Sequence, residues 1–406
     1  MQQPGMMVNR TWPISPSQVV LLKRWQELLA DPNVNLRSEK FVTGTTGRNV
    51  HSTINTHPHL QSLASLQPLA NPEPFVHIGW RSFDTQTTFA DPRLINLERP
   101  ALWQSLSKKQ VFLVSPYTAR MSNGPAATIS LGVPDKHYFC NRGGKDVIPL
   151  YRDKEATQPN IANGLLEFLS DAYNTPVTPE DFLCYTYALI AHGGYTGKFT
   201  EELGNSAARF PITKSLELFT EACEIGRELL WLHTFGERFT STSRPQKRVP
   251  RINGIGWKTP VTAIPQTVKD ISYNVDTQEL HVGDGIVTGV RSDVKEFSVS
   301  GMNVLDKWLG ARTCKGIGRA ASKNASLLDQ IRPEEWEDEW NDELLDLIRV
   351  LTRTLELGDA QMTILNQIIE GEIFDAAHLP QPTEAQRKVP KTIKQQPANT
   401  ASLFED

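Results

Sequence analysis

The chain has 406 residues, 39% of them hydrophobic, with a formal charge of −4; it can bury two or three ordinary cores and lies outside the disordered range. No apolar run of about 18 residues occurs, and the N-terminus MQQPGMMVNRTWP lacks a basic flank before an apolar core, which supports neither a membrane-spanning helix nor a secretory signal and makes the cytoplasm the expected location. Cys140, Cys184, Cys223 and Cys314 lie far apart with no close pair, which excludes zinc-ribbon spacing and gives no sign of a disulfide framework, so reduced core thiols are expected.

The predicted elements begin with a helix starting near Ser15, with Pro16 in its first turn, and running through VVLLKRWQELLA to Asp31-Pro32. From Arg37 to Pro74 the sequence is rich in Thr, Asn, His and Pro without either period, which predicts a long loop or connector. His57-Pro58-His59 falls there, and a polar loop with a proline between the histidines is a poor ligand set.

Between Phe75 and Tyr151, short apolar runs (FVHIGW, QVFLVSP, ATISLGV, HYFC, VIPLY) are separated by Gly, Pro and Asn, predicting a twisted, mostly antiparallel sheet. The period then turns helical over Asn160–Ala172, Thr178–His192, Tyr195–Leu203 and Ser215–Phe235, with Thr178 as N-cap and Pro179 behind it. A second β region follows, with a hairpin around Asp276-Thr277 and a further strand in KEFSVSG. The spacing predicts a helix over Leu344–Leu357, a stop at Gly358, and a next helix capped by Asp359.

The fold class is therefore α+β, with mostly antiparallel β modules, a central helical insert and a helical C-terminal region. The expected boundaries are 1–74 for the N-terminal helix and connector and 75–330 for an α+β domain whose helical part covers about 160–236. A helical region at 331–380 and a disordered tail at 381–406 complete the expectation.

The charge is unevenly placed. Nine acids against Arg332 between Asp329 and Asp346 give that stretch −8 and leave +4 for the remainder. Two segments are basic without an acid among them: Arg244, Lys247, Arg248, Arg251 and Lys258, then Lys307, Arg312, Lys315, Arg319 and Lys323. Either can follow a phosphate backbone; either can also be a solvated loop.

Catalytic motifs are missing. The sequence holds no Pro-Pro dipeptide, as the base-flipping loop of an amino-methyltransferase needs, and no GxxxxGK[ST] phosphate loop. Gly283-Asp284-Gly285 precedes strand-like residues, so it reads as a hairpin turn and not a cofactor loop. Pro134-Asp135-Lys136 and Asp293-Val294-Lys295 are distant fragments of a metal-nuclease pattern, for which a structural reading is simpler. His192 and His233 sit near the ends of apolar helices and read as packed or helix-end side chains.

Seven short motifs then occur in order: RTWPISPS with RWQELLADP, GWRSFD with DPRLIN and RPALW, NRGGKDVIPLYRD, DFLCYTYALIAHGGYTGKF, GRELLWLHTFGER, VSGMNVLDKWLGAR and ELLDLIRVLTRTLEL. Together they resemble the C-terminal target-recognition domain of type ISP restriction-modification enzymes and their associated adenine-specific DNA methyltransferases. Arg81, Phe83 and Asp84 match the family's pattern, whereas Trp80 and Ser82 depart from it, as does Gly193-Gly194.

The resemblance implies a non-catalytic module that binds double-stranded DNA and directs a separate adenine methyltransferase, with helicase or nuclease subunits as further partners. S-adenosylmethionine is expected in the methyltransferase, with no cofactor or metal in this chain. The candidate DNA contacts are Arg81, Arg93, Arg142 and Lys145 in the β module, and Arg248, Arg251, Arg312, Lys315 and Arg319 on the backbone. Arg81 can instead pair with Asp84, and Arg93 can be a turn residue after Asp91-Pro92. Trp12, Trp80, Trp103, Trp231 and Trp308 can stack on bases, yet their apolar settings suit cores. Two alternatives stay open: the terminal part of a longer methyltransferase, or an interaction protein that has lost DNA readout.

Overall fold

A computed structural model describes residues 1–42, 47–55, 57–116, 124–139, 145–204, 207–322 and 325–389. The architecture is α+β: three small four-stranded sheets and a β-ribbon surround a helical layer. One apolar cluster runs from Met6 to Ile368 and draws on all three four-stranded sheets, the helical layer and the C-terminal helices. A second gathers Trp12, Trp25, Phe41, Phe89 and Leu328. The first cluster takes residues from both sides of positions 74 and 330, and the second from both sides of position 74.

The first sheet has the order Gln3–Pro4, Lys145–Pro149, Phe112–Pro116, Thr128–Ser130, all antiparallel. The second runs Ile14–Ser15, Asp84–Phe89, Phe75–Arg81, Val133–Pro134, and its last pair is parallel. Strand Asp84–Phe89 was not expected from DTQTTF, whose polar residues are almost all buried. Their hydrogen bonds explain that: Thr88 Oγ1 donates to Pro13 O at 2.8 Å and Gln86 Nε2 to Asp84 Oδ2 at 2.7 Å. HYFC is no strand where it is described; Tyr138 sits in a turn closed on Asp135 O and donates its hydroxyl to Ile129 O.

The N-terminal helix begins later than expected. Ser17 is the cap of Gln18–Ala30, because Ile14–Ser15 is committed to strand pairing with Thr87 and Thr88. A helix, Val34–Phe41, capped by Asn33, runs into the start of the expected connector. Arg37 on that helix is buried and donates to the carbonyls of Leu29, Asp31, Leu63 and Leu66, so an arginine orders a segment that has no apolar period. Arg24 does the same for Trp12, Ile14 and Ile331.

In the helical layer, Leu165–Tyr173 starts later than expected, after Gly164. Helix Pro179–Ile190 carries the expected Thr178 cap, completed as a capping box by Asp181. It crosses Leu216–His233 at Gly226, where a Cβ would stand 1.8 Å from Cys184 O. The C-terminal helices Glu339–Glu356 and Gly358–Glu370 pack on the same layer. The first starts at Glu339, since Glu339 and Asp342 complement its positive N-terminal end. Gly358 opens the second helix and stops neither.

The third sheet, Gly256–Thr259, Gly285–Thr288, Glu279–Val282 and Ile271–Asn274, contains the expected hairpin around Asp276-Thr277. The strand expected in KEFSVSG is the two-residue Ser298–Val299.

Candidate nucleic-acid interface

The turn Arg81-Ser82-Phe83-Asp84 closes the hairpin of the second sheet, with Arg81 and Asp84 as register partners. Phe83 has φ of 63°, a costly backbone for a bulky residue, and its buried ring meets His233 at 4.8 Å and Phe297 at 5.9 Å. Ser82 Oγ lies 3.0 Å from Thr128 Oγ1 on the first sheet. The turn thus joins both sheets to the helical layer.

Its two charges go to different partners. Arg81 lies over the Trp80 ring and donates to Asp135 Oδ1 at 3.2 Å, so its carboxylate is Asp135 and not the expected Asp84. Asp84 belongs to Arg312, at 3.3 Å, and both side chains are 2% exposed. Burial pushes the Asp84 carboxyl above its ordinary value, with Arg312 and Gln86 pulling it back. Arg312 also stacks on Trp308 at 3.6 Å and reaches Glu343 at 3.3 Å. A phosphate contact from Arg312 would strand Asp84 in the interior, which removes Arg312 from the surface set.

Arg93 is likewise internal. It makes a bidentate pair with Asp91 at 2.8 to 3.1 Å and donates to Gln61 O, with its side chain 4% exposed. A buried guanidinium with its donors committed this way offers a groove nothing. Asp135 is held by Arg81, and Asp293 by Arg291, so neither nuclease-like fragment presents a free carboxylate. Among the described residues, no group of three His, Cys, Asp or Glu side chains could hold a metal.

The first basic segment has a built geometry. Gly236, at φ of 77°, turns the chain after Leu216–His233, and its carbonyl accepts from Lys247 N–H at 2.9 Å. Ser241 and Arg244 exchange both backbone bonds, and Trp231 Nε1 donates to Pro245 O. The loop is therefore pinned at its base. Some of its cations find acids from elsewhere: Arg244 meets Glu224 and Lys247 meets Glu237, while Lys258 beyond the loop meets Glu279. Arg248 and Arg251 remain exposed without an ion pair among the described residues.

The second segment attaches to the same third sheet. Cys314 and Lys315 donate their N–H groups to Pro265 O and Gln266 O, in the connection between strands Gly256–Thr259 and Ile271–Asn274. Lys307 and Lys315 are exposed and likewise unpaired among the described residues. Arg319 lies on a 3-10 turn at Gly318–Ala321, and Lys145 opens strand Lys145–Pro149 as the register partner of Pro116. Arg142 and Lys323 lie outside the described residues. The acids of the Asp329–Asp346 run are partly spent inside the fold, Asp329 on Thr11 and Glu343 on Arg312.

The buried tryptophans are core residues: Trp12, Trp103, Trp231 and Trp308 are at most 5% exposed. His233 is also interior, bonded to Tyr187 Oη at 2.6 Å and Thr354 Oγ1 at 2.9 Å; burial drives its pKa down to about 3 and keeps it neutral. Arg209 is among the exposed cations that sequence reading passed over; it lies in a short loop without period and has no ion pair among the described residues. No helix of the described residues is long and apolar enough to cross a membrane.

Comparison with known proteins follows the same outline. A family model described as the Type ISP C-terminal specificity domain matches residues 1–347. No curated protein matches the chain. Among solved structures, a cryo-EM DrdV–DNA complex superposes with a TM-score of 0.58 at 16% identity, over 90% of this chain and 35% of that one. A nuclease-deletion mutant of the Type ISP restriction-modification enzyme LlaGI with a DNA substrate mimic gives 0.55 at 14%, over 89% and 27%. The ATP-dependent Type ISP enzyme LlaBIII bound to DNA gives 0.58 at 16%, over 92% and 24%. At these identities the likeness is one of fold, and this chain spans about a quarter to a third of those chains.

Proposed function

The chain belongs to the family of Type ISP C-terminal specificity domains, and from that membership we propose that it reads a duplex DNA sequence and directs an adenine methyltransferase to it. The observation that carries this reading is the family match across residues 1–347, a span that holds every contact proposed below. Arg248 and Arg251 on the pinned loop, with Lys315 and Arg319 on the neighbouring segment, serve as phosphate contacts that set register. Arg142 and Lys145 are the proposed base readers, since arginine and lysine fit guanine O6 and N7 in the major groove. Arg81, Arg93 and Arg312 hold the scaffold from which those segments project.

The module supplies no reaction step of its own; methyl transfer, with S-adenosylmethionine, and any translocation belong to the rest of the system. A second reading, that the same sequence serves as the terminal part of a longer methyltransferase, is favoured by its share of the solved chains, 24% to 35%.

The test is DNA binding across a salt series, with and without a type ISP methyltransferase core, followed by methylation mapping. The proposal expects affinity to fall steeply with salt and the methylated sequence to change when this module is exchanged. Methylation sites that stay fixed on exchange, or binding that ignores salt, would refute it.

A further inference from the structure

The helical side of the fold carries two adjoining apolar cavities that the described residues leave open. One, of about 490 Å³, is lined by Tyr195, Phe199, Leu203, Phe210 and Ile369, with Ile373 at its border. The other, of about 670 Å³, shares Phe210, Pro211 and Ile373 with it and continues to Pro382. Ile369 and Ile373 are 37% and 44% exposed, high for large aliphatic side chains on one strip. At the edge of the smaller cavity stands Arg209, whose backbone N–H donates to Tyr195 Oη at 2.9 Å, with an exposed side chain that has no ion pair among the described residues.

An apolar floor with one guanidinium at its rim fits a short peptide with large apolar side chains followed by carboxylates. The chain carries that order itself, in Leu403-Phe404-Glu405-Asp406. The described residues end beside the strip: Pro382 lines the larger cavity, and Gln386 O accepts from Arg152 at 2.8 Å. The 13 residues from Pro390 to Ser402 can span up to roughly 45 Å, longer than two adjoining cavities require. Tethering raises the local concentration of the segment to the millimolar range, so modest contacts suffice. Glu202 also lines the smaller cavity, and Lys391 and Lys394 of the same segment carry the opposite charge.

We propose that residues 400–406 dock in the smaller cavity, with Leu403 and Phe404 on Phe199, Phe210 and Ile373, and Glu405 and Asp406 on Arg209. The contact covers the exposed Ile369 and Ile373 and is independent of DNA reading.

Hydrogen exchange on the full chain tests it. The amides of residues 400–406 should exchange at least tenfold more slowly than in the free peptide, and Phe404→Asp or Arg209→Glu should abolish that protection. Arg209→Glu combined with Glu405→Lys and Asp406→Lys should restore it, which a folding defect would not do. Free-peptide rates in the unmodified chain would overturn the proposal. So would protection indifferent to Arg209→Glu, or protection lost on dilution together with a dimer mass, which would assign the cavity to a second copy.

Discussion

Replacing Arg312 by Met separates a scaffold arginine from a DNA contact most sharply. The substitution keeps the aliphatic stem over Trp308 but removes the paired charge from Asp84, whose side chain is 2% exposed and keeps the Gln86 hydrogen bond at 2.7 Å. Glu343 is half exposed and can turn to water. Removing one partner of a buried pair costs about 3–5 kcal/mol, roughly a fifth or more of a typical domain's stability. Urea unfolding followed by tryptophan fluorescence reads this loss, since Trp308, Trp336 and Trp340 surround the site. The pH dependence has a fixed sign. A carboxyl raised in the folded state from its ordinary 3.8 contributes stability below 3.8 and loses it as pH rises through the folded value. The Met variant raises Asp84 further, so its deficit should be smallest at acid pH and should grow as pH rises. Adding Asp84→Asn should recover part of the loss. A deficit under about 1 kcal/mol with weaker DNA binding would refute the reasoning and return Arg312 to the phosphate contacts.

Three further outcomes follow from the packing. Gly226→Ala puts a methyl group 1.8 Å from Cys184 O and must part the two central helices; the expected loss is about 2–3 kcal/mol, read by urea midpoint. His233 has its pKa lowered to about 3, so its stabilising contribution is complete above 6.5 and is lost as pH falls through that window; about 2 kcal/mol should disappear by pH 5, and the loss should be absent in His233→Gln. Thr178→Ala breaks the capping box on helix Pro179–Ile190 and should cost about 1 kcal/mol in thermal or urea unfolding.

The regular parts of this fold were legible because they announce themselves locally. Thr178-Pro179 and the Asp276-Thr277 turn carry their own caps and turn chemistry, and helix Leu216–His233 carries its period. Strand Asp84–Phe89 and helix Val34–Phe41 were hidden for a common reason: buried polar groups hold them, through Thr88 on Pro13 O and Arg37 on four carbonyls. Pattern reading assigns polar residues to water, and tertiary hydrogen bonding overrides that assignment.

The candidate site divides the same way. Arg248 and Arg251 are surface cations as expected, whereas Arg93 and Arg312 have the same composition signal and lie inside. Sequence distance concealed the partner of Arg312, since Asp84 is 228 positions away. Arg81 and Asp84, adjacent across a hairpin, were the obvious pair; the guanidinium instead lies over Trp80 towards Asp135. An arginine count therefore overstates a nucleic-acid surface wherever arginines are used to saturate carbonyls and buried acids.

The most direct test of the central claim is the salt dependence of duplex DNA binding by the full chain and by Arg248→Ala/Arg251→Ala. Each lost phosphate contact reduces the slope of log affinity against log salt by about 0.9. The account predicts a slope shallower by about 2 for the double variant, with unchanged urea stability, because neither side chain has an ion pair among the described residues. An unchanged slope and affinity in a folded double variant would contradict it.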